Sequence, residues 1–224
     1  MPIRVHWRPL AHAILMAGIG CAQPLATPRL SCKVENTAET TTLAAKVNGS
    51  DAPVRFRIDW LSGNDAPQNF KNHPAKGNAF RSTYLLGETT LTRTILASAE
   101  ADCILIHIIA DKPGAVGFRA HFPGEAAAKI QDRREIILSG GKTHAHAWII
   151  PFESDVTDDG KATITLSGEG EALIILNLTA DPAAHPVSST FTRLGEKYDP
   201  GHSPPGPHAI WEGVIGGAGD REKE

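Results

Sequence analysis

The sequence predicts an all-β protein, an antiparallel sandwich of the supersandwich type with few or no helices. Three observations predict it. From residue 41 onward apolar side chains recur at every second position, the period of a strand with one buried face. These stretches are short and are punctuated by Gly, Pro, Asp and Asn at intervals of roughly 8–12 residues, as in sandwiches and barrels. The most apolar stretch, CILIHIIA at 103–110, is apolar on both alternating sets, which suits a central strand covered on both sides.

The elements follow in order. PVRFRIDWL (53–61) sets Val54, Phe56, Ile58 and Trp60 on one face and Arg55, Arg57 and Asp59 on the other, so one face is core and the other wet. AFRSTYLL (79–86) repeats the pattern, and Gly87-Glu88 turns it into TTLTRTILAS as a hairpin. After 103–110, DKPG (111–114) supplies the Pro and Gly of a turn: Pro presets φ and Gly accepts φ > 0. AVGFRAHF then carries Val116, Phe118, Ala120 and Phe122 inward and Arg119 and His121 outward. GEAAAKIQDRRE (124–135) is the one helix candidate. REIILSG, THAHAWIIPF, KATITLSG and EALIILNLTA complete the strands, with turns at Gly140-Gly141, Asp158-Asp159-Gly160 and Gly168-Glu169-Gly170.

The domain organisation reads as a leader at 1–22, a sandwich domain at 30–194 and a Gly/Pro-rich tail at 195–224. In the leader, Arg4 and Arg8 precede an apolar run, and Gly20 and Ala22 set small residues for cleavage after Ala22. A second reading makes Cys21 the lipidated first residue of a lipoprotein, and a third leaves the segment uncut. Either form of processing implies export to the periplasm or the exterior. The tail holds seven Gly and four Pro in 30 residues, a composition that buries little by itself, although Trp211 and Ile210 are candidates for local docking.

Composition narrows the partners. The 224 residues carry a net charge of -3, 21% charged and 41% hydrophobic residues, and no Lys/Arg run longer than a pair. That argues against a nucleic-acid footprint and against a polybasic membrane patch. Cys32 and Cys103 are a candidate disulfide in an oxidising compartment, but Cys103 lies inside an apolar strand, where a thiol acts as a small hydrophobe.

Candidate chemistry is sparse. His144 and His146, two apart on one strand, share a face and could offer two imidazoles to Zn²⁺, but no third ligand stands at a diagnostic spacing, and the same holds for His185, His202 and His208. SDVTDDGK (154–161) lacks the calcium-loop spacing and reads as a hairpin turn. Asp59 beside Trp60 is the most sugar-friendly neighbourhood, and Trp148 is a second candidate platform, because indole faces stack on pyranose rings. Asn48 and Asn177 stand in glycosylation sequons. No cofactor fingerprint or paired-carboxylate signature is present, so none is expected.

FRSTYLLGETTLTRTILASAEADCILIHIIADKPGAVGFRAHF resembles the N-terminal β-domain of family 95 glycoside hydrolases, the α-L-fucosidase-like enzymes. Tyr84, Gly87, Thr92-Arg93, Ser98, Asp102, the run 103–109, Ala110 to Gly114 and Phe118 carry the likeness, and 145–181 continues it more loosely. The resemblance implies a sandwich in a carbohydrate setting. The opening stretches of that family and its helical barrel with the catalytic carboxylates have no counterpart in these residues, so no catalytic residue carries over. The expectation is an exported, non-catalytic module whose partner is a glycan or a separate catalytic chain. A structural or adhesion protein of the cell envelope is the second reading and a small self-sufficient glycoside hydrolase the third.

Overall fold

The computed structural model describes residues 21–50, 52–63, 65–74, 78–99, 102–131, 134–139, 143–152, 156–181 and Trp211. The leader up to residue 20, His185, His202, His208, Ile210 and the Gly140-Gly141 turn lie outside the described residues. The strands are β1 (Cys21–Ala26), β2 (Leu30–Asn36), β3 (Thr40–Val47), β4 (Val54–Trp60), β5 (Gln68–Pro74), β6 (Ala79–Leu86), β7 (Thr89–Ser98) and β8 (Cys103–Ala110). They continue with β9 (Val116–His121), β10 (Ala128–Gln131), β11 (Glu135–Ser139), β12 (His144–Pro151), β13 (Thr157–Asp158), β14 (Ile164–Glu169) and β15 (Glu171–Thr179).

They form two wholly antiparallel sheets packed face to face. One has seven strands in the order β1-β2-β3-β4-β9-β14-β13, the other eight in the order β10-β11-β12-β15-β8-β7-β6-β5. Between them lies a continuous core in which Phe56, Ile58, Phe118 and Leu43 from the first sheet meet Ile95, Ile104, Ile106 and Ile174 from the second. Burying each such side chain contributes about 1.5–3 kcal/mol. In the seven-stranded sheet β1 pairs in register with β2, Cys21 opposite Asn36 and Ala26 opposite Ser31.

The chain changes sheets at corners. The DKPG turn carries it from β8 to β9, with Gly114 at φ 80°, a conformation that L side chains rarely adopt. Gly170 carries it back from β14 to β15, and Ala110 donates its N–H to the Gly170 carbonyl at 2.9 Å, so the two corners support each other. The expected β6–β7 hairpin forms, with Gly87 at φ 60°. The Asp159 turn forms too: its carboxylate accepts backbone N–H bonds from Lys161, Ala162 and Thr163, which hold it well below the usual carboxylate range.

Two expectations need correction. Residues 124–135 supply strand β10 rather than a helix, because Ala128 and Ile130, two apart, dock on the inter-sheet core while Lys129 points to solvent. Cys32 and Cys103 do not pair with each other: Cys32 faces the inter-sheet core, whereas Cys103 belongs to the cluster on the opposite side of the eight-stranded sheet. Burial pushes the Cys32 thiol up to about 12.

The core also holds a cation. Arg93 on β7 is fully buried, and its guanidinium lies 4.5 Å from the Trp60 ring centre and 4.6 Å from that of Tyr84. It donates to Asn36 Oδ1, Thr41 Oγ1 and the Thr37 carbonyl. Asn36 in turn donates to Ser82, so the network ties β2 and β3 of one sheet to β6 and β7 of the other. Burial lowers Arg93 to about 10, which still leaves it charged at neutral pH.

Candidate functional site

The inner faces are consumed by the core, so any site must lie on an outer face or an edge. On the outer face of the eight-stranded sheet, alternation places Leu105 and His107 of β8, Leu173 and Ile175 of β15, and His146, Trp148 and Ile150 of β12 side by side. Cys103, Leu105, Ile150, Leu173 and Ile175 form a second apolar cluster with Trp211, and Leu96 and Trp148 pack against it. Trp211 stacks on His107, ring centres 4.7 Å apart at 27°. The expected docking of Trp211 is therefore seen, and this face is sealed over its middle.

Two histidine–carboxylate pairs sit within the sealed face. His107 Nε2 lies 2.7 Å from Glu171 Oε1, and His146 Nδ1 lies 2.7 Å from Glu135 Oε1. Both imidazoles are buried. His144 shares the face of His146, as the i, i+2 spacing requires, but His146 is engaged by Glu135, and no group of three metal-ligating side chains occurs among the described residues. Asn177 is buried on the same strand system, which removes its sequon as a glycosylation site; Asn48 is exposed in the β3–β4 turn.

Trp60 and Asp59 part company. Adjacent residues of a strand point to opposite faces. Trp60 is 8% exposed, donates its indole N–H to Thr41 Oγ1 and sits edge-on to Phe118, so the ring that was to stack on a sugar stacks on Arg93 instead. Asp59 is on the outer face of the seven-stranded sheet.

That outer face is mainly polar over β3, β4, β9 and β14. In register across β3, β4, β9 and β14 lie Thr40, Asp59, Arg119 and Thr165, and in the next row Thr42, Arg57 and His121. Arg55 stands one row on, opposite Ala44, which pairs with Lys33 of β2. Asp59 receives Arg57 Nε at 2.7 Å and has His121 Nδ1 at 3.8 Å. Burial holds the His121 imidazolium below its ordinary range, while the Asp59 carboxylate opposes that shift. Lys33 and Glu35 pair at 2.8 Å, and Lys33 keeps the Glu35 carboxyl low. Arg55, Arg119 and Lys46 are exposed and make no ion pair among the described residues.

Arg, Asp, His and Thr side chains on rigid neighbouring strands offer paired donors and acceptors to hydroxyls and to acidic groups. Sequence reasoning had put Arg55, Arg57, Arg119 and His121 on wet faces, yet it missed that β4 and β9 are neighbours, since strand order is not written in local periodicity. His107, Glu171 and Arg93 were also missed: each interrupts an apolar set, which was the one available signal.

No family model and no curated protein matches this chain. Among solved structures, the periplasmic domain of the Thermotoga maritima YidC is similar over 79% of this chain and 88% of that one, at 11% identity and a TM-score of 0.42. A human-microbiome protein assigned as a kojibiose phosphorylase is similar over 88% of this chain, at 9% identity and a TM-score of 0.37; the chain spans 39% of that protein. Neither likeness carries a functional residue across. The chain is an antiparallel β-sandwich, and its activity has to be argued from its own surfaces.

Proposed function

We propose that this protein is an exported, non-catalytic β-sandwich module that binds a carbohydrate chain across the outer face of its seven-stranded sheet. The observation that supports it is the open row of Asp59, Arg57, His121, Arg119 and threonine side chains on rigid strands, against an opposite face sealed by Trp211. Paired donors and acceptors of this kind suit vicinal hydroxyls. The resemblance of residues 78–181 to the β-domain of family 95 glycoside hydrolases supports the carbohydrate setting, and the leader at 1–22 supports export.

The partner enters as a glycan chain lying flat, because the face offers a row of polar side chains and, among the described residues, no Phe, Tyr or Trp to form a pocket. Affinity electrophoresis of the full chain against a panel of neutral and acidic polysaccharides tests this. Retardation that the Asp59→Asn and Arg57→Ser changes weaken is expected. No retardation by any polysaccharide overturns the reading and favours a structural protein of the cell envelope.

A further inference from the structure

The same face has an excess of one charge, and this inference rests on the carbohydrate reading above. Its outward positions carry Lys33, Lys46, Arg55, Arg57 and Arg119 against Glu35 and Asp59, with the Asp159 carboxylate acting on His121 from the neighbouring turn, in a chain whose net charge is -3. The two carboxylates are already engaged, Glu35 by Lys33 and Asp59 by Arg57. Lys46, Arg55 and Arg119 are left exposed with no ion pair among the described residues. The excess is hidden in the linear sequence, because strand alternation spaces the cations two residues apart and the β4–β9 pairing gathers them.

We infer that the ligand is an anionic polysaccharide, one bearing a carboxylate or sulfate on its repeating sugars. Arg55 and Arg57 stand roughly 7 Å apart along β4, and Arg119 lies on the strand about 4.8 Å to the side. A row of that kind meets repeated single charges on an extended chain, and arginine's planar fork takes a carboxylate or a sulfate in two hydrogen bonds. Asp59, Glu35 and the threonines remain for hydroxyl groups. Among the described residues the face carries no Phe, Tyr or Trp on which a base could stack, which disfavours a single-stranded nucleic acid.

The test is affinity electrophoresis and calorimetry of the full chain with polygalacturonate, its methyl-esterified form, dextran sulfate, a neutral dextran and duplex DNA. Arg55→Ser/Arg119→Ser is compared with Arg81→Ser/Lys129→Ser, which makes the same charge change on exposed positions of the other sheet. Expected is binding to polygalacturonate or dextran sulfate that weakens with salt and falls about tenfold in the first double variant, with little loss in the second. Both variants should keep the parental melting temperature. Equal loss in the two variants overturns the site. Binding to neutral or methyl-esterified chains as tight as to the acidic ones overturns the anionic ligand while the carbohydrate reading stands. Binding to DNA in preference to every glycan, or binding to nothing, overturns both.

Discussion

The two outer faces of this sandwich obey the same period-two rule and arrive at opposite surfaces. On β4 and β9 the outward positions are Arg55, Arg57, Asp59, Arg119 and His121, and water or a ligand completes their hydrogen bonding. On β8, β12 and β15 the outward positions are Leu105, Ile150, Leu173 and Ile175, and they need a cover. Trp211 packs onto them, and Glu171 of β15 and Glu135 of the neighbouring β11 are each held by a histidine. A sheet covered on both sides is scaffold; a sheet open on one side has a face to spend on recognition.

The contrast can be broken most severely by putting a charge on each face. Leu105→Asp should cost more than about 4 kcal/mol, because an unpaired carboxylate would sit in a fully buried cluster. Ala44→Asp, between Lys33 and Arg55, should change stability by less than about 1 kcal/mol. Urea melts of the two variants compare them directly, and equal losses would mean that the faces are not different in kind.

Arg93→Met should come next, at about 2–3 kcal/mol, since it removes the donors to Asn36, Thr41 and the Thr37 carbonyl and leaves those acceptors buried. Trp211→Ala should then cost about 2 kcal/mol and raise binding of a hydrophobic dye, with polysaccharide retardation unaltered. Retardation lost together with the cover would place recognition on the wrong face.

The smallest effect is one of pH. Burial depresses His121 in the folded state, so the unfolded chain takes up the proton first as pH falls. Its contribution is fully present above the unfolded value near 6.5 and is lost as pH falls through that value toward the folded one. Melting temperatures between pH 7.5 and 5 should therefore drop less for His121→Asn than for the parent.

Much of the architecture was legible because it is local. The hairpin at Gly87, the Pro-Gly corner and the strand 103–110, buried on both faces from Cys103 to Ile108 with Ile109 exposed, all follow from alternation and turn chemistry. Residues that carry the family likeness serve the scaffold: Arg93 is the buried cross-link, and Asp102, in the β7–β8 turn, accepts from Thr27. What failed depended on distant partners. AKIQ reads as helix until β11 lies beside it, and alternation already sets Trp60 on the core face but cannot show that Arg93 meets its ring from the other sheet. Cys32 and Cys103 fall on opposite sides of one sheet for the same reason.

The most direct test of an open recognition face opposite a sealed one is a polygalacturonate titration followed by amide NMR. Shifts concentrated at Arg55, Arg57, Asp59, Arg119 and His121, with His107, Trp148 and Leu173 unmoved, are the predicted result; shifts gathered around Trp148 and His107 would contradict it.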